Sequence, residues 1–183
     1  MKKSLNELSH LDNELHHIYN HVNDMLKFAE AKNAGLIAFN IAVIIGISQL
    51  NFVATDNLLL KYGGWYIVIL NIISVFFSLI SIFAQLRTKE RIPSIDPSNN
   101  LLYFGTLALL SPEELLNQMK TRYKFISTNE VFELDMARQI IIVSQITLRK
   151  FRLFNIAMFF TFASIPPIPV FSFVFERWFN PNN

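Results

Sequence analysis

The chain has 183 residues and a formal net charge of +2, and only 16% of its residues are charged. About 25% is usual for a soluble globular domain, so the composition argues against an ordinary soluble protein. The absence of cysteine excludes disulfides, thiolate nucleophiles and cysteine metal sites.

The first predicted element is an amphipathic helix over residues 4–29. Its apolar positions alternate spacings of three and four, which is a heptad seam, at Leu8, Leu11, Leu15, Ile18, Val22, Met25 and Ala29. The pattern leaves self-association and packing on the chain's own cytosolic helices equally open. Four histidines share this helix, and His17 and His21 have the spacing of a helical metal pair. No third ligand follows at motif spacing, so solvent-exposed positions account for them better.

Three uncharged runs follow the heptad helix, at residues 33–55, 62–86 and 153–175. About 20 apolar residues cross a bilayer as a helix, so each run is long enough and we predict three transmembrane helices. The first continues directly from the heptad helix. Gly63 and Gly64, in "TDNLLLKYGGW", predict the turn between the first two spans, and Pro166, Pro167 and Pro169 predict a break in the third.

Between the second and third spans lies a helical cytosolic region. "IPSIDPSNN" is typical of a linker, and Ser111, Pro112 and Glu114 form a capping-box pattern that predicts a helix start at Ser111. A second helix is predicted from Asn129 or Glu130 directly into the third span. The fold class is therefore all-α. We divide the chain into a heptad helix (1–32), a transmembrane hairpin (33–86), a cytosolic helical region (87–152), and a third transmembrane helix with a short outer tail (153–183).

Basic residues are unevenly distributed between the loops. With a cytoplasmic N-terminus, only Lys61 and Arg177 lie on the outer side. The inner side then carries Lys27, Lys32, Arg87, Lys89, Arg91, Arg138, Arg149, Lys150 and Arg152. The positive-inside rule therefore predicts a multi-pass membrane protein with its N-terminus in the cytoplasm and its C-terminus outside.

The second span carries a polar stripe at helical spacing: Asn71, Ser74, Ser78, Ser81 and Gln85. Small and hydrogen-bonding residues at this spacing favour close helix packing, while the alternative is a polar path lined by this face in an assembled oligomer. Asn33 and Asn40 are seven residues apart on the first span, so both are expected to meet the stripe.

A second polar face precedes the third span, with Asp135, Arg138, Gln145, Arg149 and Arg152, flanked by Gln139 and Lys150. Such charges are common on surface helices, and Asp135 with Arg138 has the spacing of a local ion pair. Guanidinium groups also suit phosphate, so together with Lys32 these residues are candidates for an anion pocket. We expect Lys32 and Asn33 to join Arg149 to Arg152 in one polar layer; the alternative is that Lys32 reaches lipid headgroups while Glu30 balances its charge.

No motif points to catalysis, because the chain has no glycine-rich phosphate loop, GxSxG elbow or HExxH pattern. We therefore expect a protein that is not an enzyme and needs no cofactor.

Three stretches, in this order, resemble the transmembrane effector family of bacterial Pycsar anti-phage defence: "FAEAKNAGLIAFN", "NNLLYFGTLALLSPEEL" and "DMARQIIIVSQITLRKFRLFN". The resemblance extends from Phe28 to about Phe160, and the family often has aspartate where Glu30 stands. It implies an effector that senses cyclic CMP or cyclic UMP from a partner cyclase and impairs the inner membrane, which aborts infection.

On that resemblance, the candidate nucleotide contacts are Lys32, Asn33, Tyr103, Asp135, Arg138, Gln139, Arg149 and Lys150. Tyr103 and Phe104 are candidates for base stacking, although aromatic residues near a turn are more often core. We also expect homo-oligomers. The alternative function is a non-gated helical membrane anchor or scaffold whose heptads recruit a soluble partner.

Overall fold

The structure, a computed structural model, describes residues 2–50, 58–83, 100–125, 127 and 129–165. These residues form α-helices and no strand, as the all-α prediction requires. In chain order the helices are α1 (Lys2–Gln49), α2 (Leu58–Ile82), α3 (Phe104–Leu107), α4 (Pro112–Tyr123) and α5 (Glu130–Ser164).

The two long helices that the sequence predicts are both continuous. α1 joins the heptad segment to the first apolar run without a break, and α5 begins at Glu130 and enters the third apolar run. The start of α4 is also confirmed: Glu114 N donates to Ser111 Oγ at 3.1 Å, and Ser111 N donates to Glu114 Oε2 at 2.8 Å. This reciprocal capping box satisfies two backbone donors that the first helical turn would otherwise leave without partners.

The prediction of three membrane spans is not confirmed. Within the described residues, two helices are long and apolar enough to cross a membrane, Leu11–Gln49 and Leu60–Ile82. α5 fails this test because Arg149, Lys150 and Arg152 precede its apolar stretch, and the described helix ends at Ser164. The described part of that stretch, residues 153–164, is shorter than the about 18 residues a span requires. The predicted proline break and residues 92–99 of the predicted linker (92–100) lie outside the described residues.

The predicted turn at Gly63 and Gly64 is wrong. Both glycines lie inside α2, which already begins at Leu58, and both are buried. Glycine permits a turn without enforcing one, and a small residue also allows close packing between apolar helices. The residues between α1 and α2, 51–57, are not among those described.

The chain divides into two compact units. Unit 1 comprises Met1–Glu30 and Ala84–Phe151, and unit 2 comprises Ala31–Phe83 and Arg152–Asn183. In unit 1, the heptad seam is buried against α3, α4 and α5, in a core that includes Leu11, Leu15, Val22, Leu107, Leu115, Met119 and Ile140. Of the two alternatives for the seam, the structure therefore shows packing on the chain's own helices.

Unit 2 packs the second half of α1 against α2 and the end of α5. Its buried cluster is small and contains Leu36, Phe154 and Ala157, with Phe77 and Met158 against it. Large apolar side chains on α2 are exposed instead, including Trp65, Ile69, Ile72 and Phe76. An inward polar and outward apolar arrangement is typical of helices that pack inside a bilayer.

Candidate functional site

The predicted polar face of α5 lies in unit 1 except for Arg152, which belongs to unit 2, and most of the face is exposed. Arg138 donates from Nη1 to Asp135 Oδ1 at 3.2 Å, and their side chains are 53% and 66% exposed. Gln139 and Arg149 are exposed as well. Asp135 and Arg138 therefore form the predicted local ion pair. The guanidinium of Arg138 remains accessible from solvent to an anionic ligand.

Lys150 differs from its neighbours on α5 because its side chain is buried. Its ammonium donates to Glu30 Oε1 at 2.5 Å. The two residues are 120 positions apart, so no sequence spacing indicates their pairing. The sequence suggested that Glu30 balances the charge of Lys32. In the structure, the carboxylate of Glu30 accepts a hydrogen bond from Lys150.

Tyr103 lies at one end of a chain of aromatic rings in unit 1. Its ring centroid is 4.8 Å from that of Phe104, which stacks on Phe151 at 5.3 Å, and Phe151 is 6.4 Å from Phe28. About half of Tyr103 remains exposed. A Cβ atom at Gly105 would come within 2.4 Å of Tyr103 Cε1, so the ring lies directly against the backbone there. The exposed ring is available for stacking, whereas Phe104 is half-buried in the core.

Lys32 and Asn33, the other predicted ligand contacts, belong to unit 2. The ammonium of Lys32 lies 5.4 Å from the centroid of the Phe154 ring, a cation–π distance. Asn33 is buried and donates from Nδ2 to Ser81 Oγ at 3.0 Å. Of the predicted polar layer, Lys32, Asn33 and Arg152 lie in unit 2, and Arg149 and Lys150 lie in unit 1. The layer stays a prediction.

The polar stripe of α2 is fully buried within unit 2, apart from Gln85, which lies outside the described residues. Asn40 of α1 donates from Nδ2 to Ser74 Oγ at 3.0 Å and accepts at Oδ1 from Thr161 Oγ1 at 3.0 Å. Ser74 Oγ lies 2.8 Å from Thr161 Oγ1 and donates to Ala157 O at 2.8 Å. We call Asn40, Ser74 and Thr161 the polar triad. Its contacts are those of an interhelical seam inside one chain.

Two positions of the stripe have polar atoms left over. The Nδ2 group of Asn71 donates to Ile67 O at 2.8 Å, but its Oδ1 atom has no hydrogen-bond partner among the described residues. The same holds there for Ser78 Oγ. Both side chains are fully buried, and buried polar atoms without a partner are uncommon in folded proteins.

Sequence reasoning missed two residues of these networks and the partner of a third. Thr161 completes the polar triad, and Glu133 is buried in unit 1 with Lys120 Nζ 3.6 Å away and Ser127 Oγ donating to it at 2.5 Å. Glu30 was named only as a counter-charge to Lys32, and its bond to Lys150 was not foreseen. For Thr161 a signal exists, since Ala157, Thr161 and Ser164 form a small and polar stripe on α5 at spacings of four and three. The other two pairings involve residues from different helices or loops.

His16, His17 and His21 of α1 do not lie in a cluster of described side chains that could hold a metal ion. His16, His17 and His21 are exposed, and the His16 ring lies 6.1 Å from that of Phe132. Within the described ranges, no group of three or more histidine, cysteine, aspartate or glutamate side chains is close enough to hold a metal ion.

Comparison with known proteins identifies one matching family, while no curated protein and no solved structure matches the chain. The family model is the Pycsar effector protein domain, PycTM, and it matches residues 14–175. The match includes residues of both units and most of α1, the whole of α2 and α4, and the whole of α5. The chain therefore belongs to the PycTM family of Pycsar effector proteins, which implies a role in anti-phage defence and a link to a cyclase and its cyclic nucleotide.

Proposed function

We propose that the protein senses cyclic CMP or cyclic UMP made by a partner cyclase and then impairs the bacterial inner membrane, which aborts infection. The match of the Pycsar effector domain to residues 14–175 carries this proposal. The two units offer a division of labour that fits it, because unit 1 has exposed arginines and unit 2 contains the whole candidate span Leu60–Ile82 and the part of the span Leu11–Gln49 from Ala31 onward. We further propose that the protein is multi-pass with a cytoplasmic N-terminus, and that it acts as a homo-oligomer.

The proposed nucleotide contacts are the exposed polar residues of unit 1. Arg138, with Asp135 and Gln139 beside it, provides a guanidinium group for the cyclic phosphate. Arg149 provides a second basic group about three turns further along α5, and Tyr103 provides a ring for stacking. Lys150 supports this surface from within through its bond to Glu30. Asn33 contributes to packing, since its amide is buried against Ser81.

The proposed damage to the membrane starts in unit 2. Its buried polar stripe is closed by hydrogen bonds from α1 and α5 in the state described. Separation of these helices would expose Asn71, Ser74 and Ser78 to water inside an otherwise apolar layer of helices. A polar face so exposed in an oligomer would conduct ions, because side chains of this kind line water-filled paths in membrane proteins.

A scaffold that recruits partners through its heptads is the weaker candidate. The apolar positions of the seam from Leu11 to Val22 are buried in the core of unit 1, so they present no surface to a soluble partner. A neighbouring gene for a nucleotide cyclase would further favour the effector over the scaffold.

The test is a membrane-potential measurement with and without nucleotide. We would express the protein in cells, prepare inverted inner-membrane vesicles and follow a potential-sensitive dye after adding cyclic CMP, cyclic UMP or, as the control, cyclic AMP. Depolarisation by one cyclic pyrimidine alone is the expected result. Equal depolarisation by all three nucleotides, or by none, would contradict the proposal. Recovery of the nucleotide unchanged after incubation would support a sensor that is not an enzyme.

A further inference from the structure

Unit 2 has an open groove between α1 and α5 with a volume of about 330 Å³. From α1, Gly35 and Phe39 line it on successive turns, and from α5, Phe154, Met158 and Phe162 do so at spacings of four. At 1.5 Å per residue, a groove that follows α5 over these turns is about 12 Å long. The groove is therefore narrow and elongated, with almost entirely apolar walls.

A single cation stands among the side chains that line this groove. Lys32 is exposed, and its ammonium lies 5.4 Å from the centroid of the Phe154 ring, which is the first groove residue on α5. Lys32 is likewise the first groove residue on α1. Thr161 also touches the groove, but its hydroxyl donates to Asn40 within the polar triad. The charge thus lies at one end and the apolar walls extend away from it.

Gly35 keeps the middle of the groove open. A Cβ atom built at Gly35 meets no atom of the described residues within 4 Å, so any larger side chain would project into the groove rather than into the helix packing. The opposite wall is formed by flexible Met158 and by aromatic rings, which adapt to an irregular apolar occupant.

We propose that this groove binds one anionic phospholipid, with its phosphate at Lys32 and one acyl chain along Gly35, Phe39, Met158 and Phe162. Charge complementarity selects this occupant, because a headgroup phosphate and a hydrocarbon chain match a site with a cation at one end and apolar walls beyond it. A cyclic nucleotide matches only the charged end. This assigns Lys32 to lipid rather than to nucleotide.

The inference rests on the proposed membrane location of unit 2, but not on nucleotide sensing. Recovery of the protein outside the membrane fraction would overturn the proposed function and this inference together. Depolarisation of vesicles by the protein without lipid bound in this groove would overturn only this inference. The probe is phosphatidylglycerol with a diazirine in one acyl chain, incorporated into proteoliposomes of the full chain and activated by light. Phosphatidylcholine with the same diazirine chain is the uncharged comparison.

Two matched pairs of variants make the labelling specific. Gly35→Leu fills the groove, and Gly46→Leu places the same side chain on the same helix at the other α1 glycine whose Cβ would meet no described neighbour. Lys32→Gln removes the proposed phosphate partner, and Lys27→Gln removes an exposed lysine that pairs with Asp24 in unit 1.

We expect cross-links within residues 35–39 and 154–162, lost in Gly35→Leu and kept in Gly46→Leu. We expect Lys32→Gln, but not Lys27→Gln, to lower the preference for phosphatidylglycerol over phosphatidylcholine by about fivefold, the factor for one basic residue near an anionic surface. Unchanged labelling of Gly35→Leu, or displacement of the lipid by cyclic CMP or cyclic UMP, would overturn the proposal. A third result would also overturn it: the wild type is not labelled by lipid, and the Gly35→Leu variant becomes monomeric. A second copy of the chain would then be the occupant of the groove.

Discussion

Lys150 and Glu30 form an ion pair that joins α5 to α1 within unit 1: Lys150 Nζ lies 2.5 Å from Glu30 Oε1, and the lysine side chain is only 6% exposed. Breaking a buried pair by removing one partner costs about 3–5 kcal/mol, because the other charge stays buried. The carboxylate is half-exposed, so we expect Glu30→Gln to lower the free energy of unfolding by about 2 kcal/mol. Thermal unfolding of the detergent-purified protein by circular dichroism measures this.

The ion pair has a matched control in the same unit. Asp24→Asn breaks the exposed pair with Lys27, whose side chains are both about two-thirds exposed, and should cost less than about 1 kcal/mol. Adding Lys150→Met to Glu30→Gln should restore part of the lost stability, since the buried charge is removed. Equal melting temperatures for Glu30→Gln and the wild type would show that the pair contributes nothing to stability.

Ser78 separates packing from conduction in the polar stripe. Its side chain is fully buried, so Ser78→Leu adds bulk to a closed seam, where overpacking costs about 1–3 kcal/mol. Ser78→Ala keeps the side chain small and removes a hydroxyl that has no hydrogen-bond partner among the described residues. We therefore expect Ser78→Leu to block toxicity in cells and Ser78→Ala to preserve it.

Cross-linking of the Ser78 variants shows how toxicity is lost. Weaker assembly in Ser78→Leu would indicate packing, and normal oligomers with reduced ion leakage would indicate a polar path. Full depolarisation by the Ser78→Leu variant at normal expression would show that toxicity depends on the stripe neither for helix packing nor for a polar path.

Arg138 is the sharpest test of the nucleotide surface. We expect Arg138→Ala to abolish binding of the cyclic pyrimidine in a calorimetric titration and to leave membrane insertion unchanged. Its ion pair with Asp135 is exposed, so the loss should cost less than about 1 kcal/mol in stability. Lys27→Ala, at an equally spaced exposed pair in unit 1, should bind nucleotide like the wild type. Wild-type binding by Arg138→Ala would make this arginine an ordinary surface residue.

The absence of cysteine allows a direct test of topology. Single cysteines at exposed Asn20 of α1 and Glu113 of α4 provide unique labels in unit 1. We expect a membrane-impermeant maleimide to modify both in inverted vesicles and neither in intact spheroplasts, because the positive-inside rule places these segments in the cytoplasm. Labelling of the Glu113→Cys variant in intact spheroplasts would contradict this orientation and place α4 outside the cytoplasm.

Local signals predicted the helices well. The capping box at Ser111 and the unbroken periodicity of α1 and α5 depend on neighbours in sequence, so they are visible without tertiary structure. Gly63 and Gly64 failed as turn markers because glycine only permits a turn, and the burial of both residues in α2 decided the outcome. The short helix α3 was not predicted, since so short a segment has too little periodicity to detect.

Long-range contacts were harder to predict. The stripe of α2 and the asparagines of α1 share helical spacing, and their contact was therefore expected. The bond between Lys150 and Glu30 joins residues 120 positions apart, and spacing on either helix does not indicate it. Burial of one lysine among several exposed basic residues likewise depends on the rotation of α5 against its neighbours, which composition does not determine.

The polar triad has a consequence for how unit 2 changes state. A shift of α1 by one residue combines a movement of about 1.5 Å along its axis with a rotation of about 100°. Such a shift would move Asn40 away from both Ser74 and Thr161, so the two bonds would be lost together. Intermediate positions of the helix would leave the buried amide without partners in an apolar layer. Unit 2 should therefore switch between discrete arrangements of its three helices rather than deform gradually, because these hydrogen bonds can only be exchanged as a set.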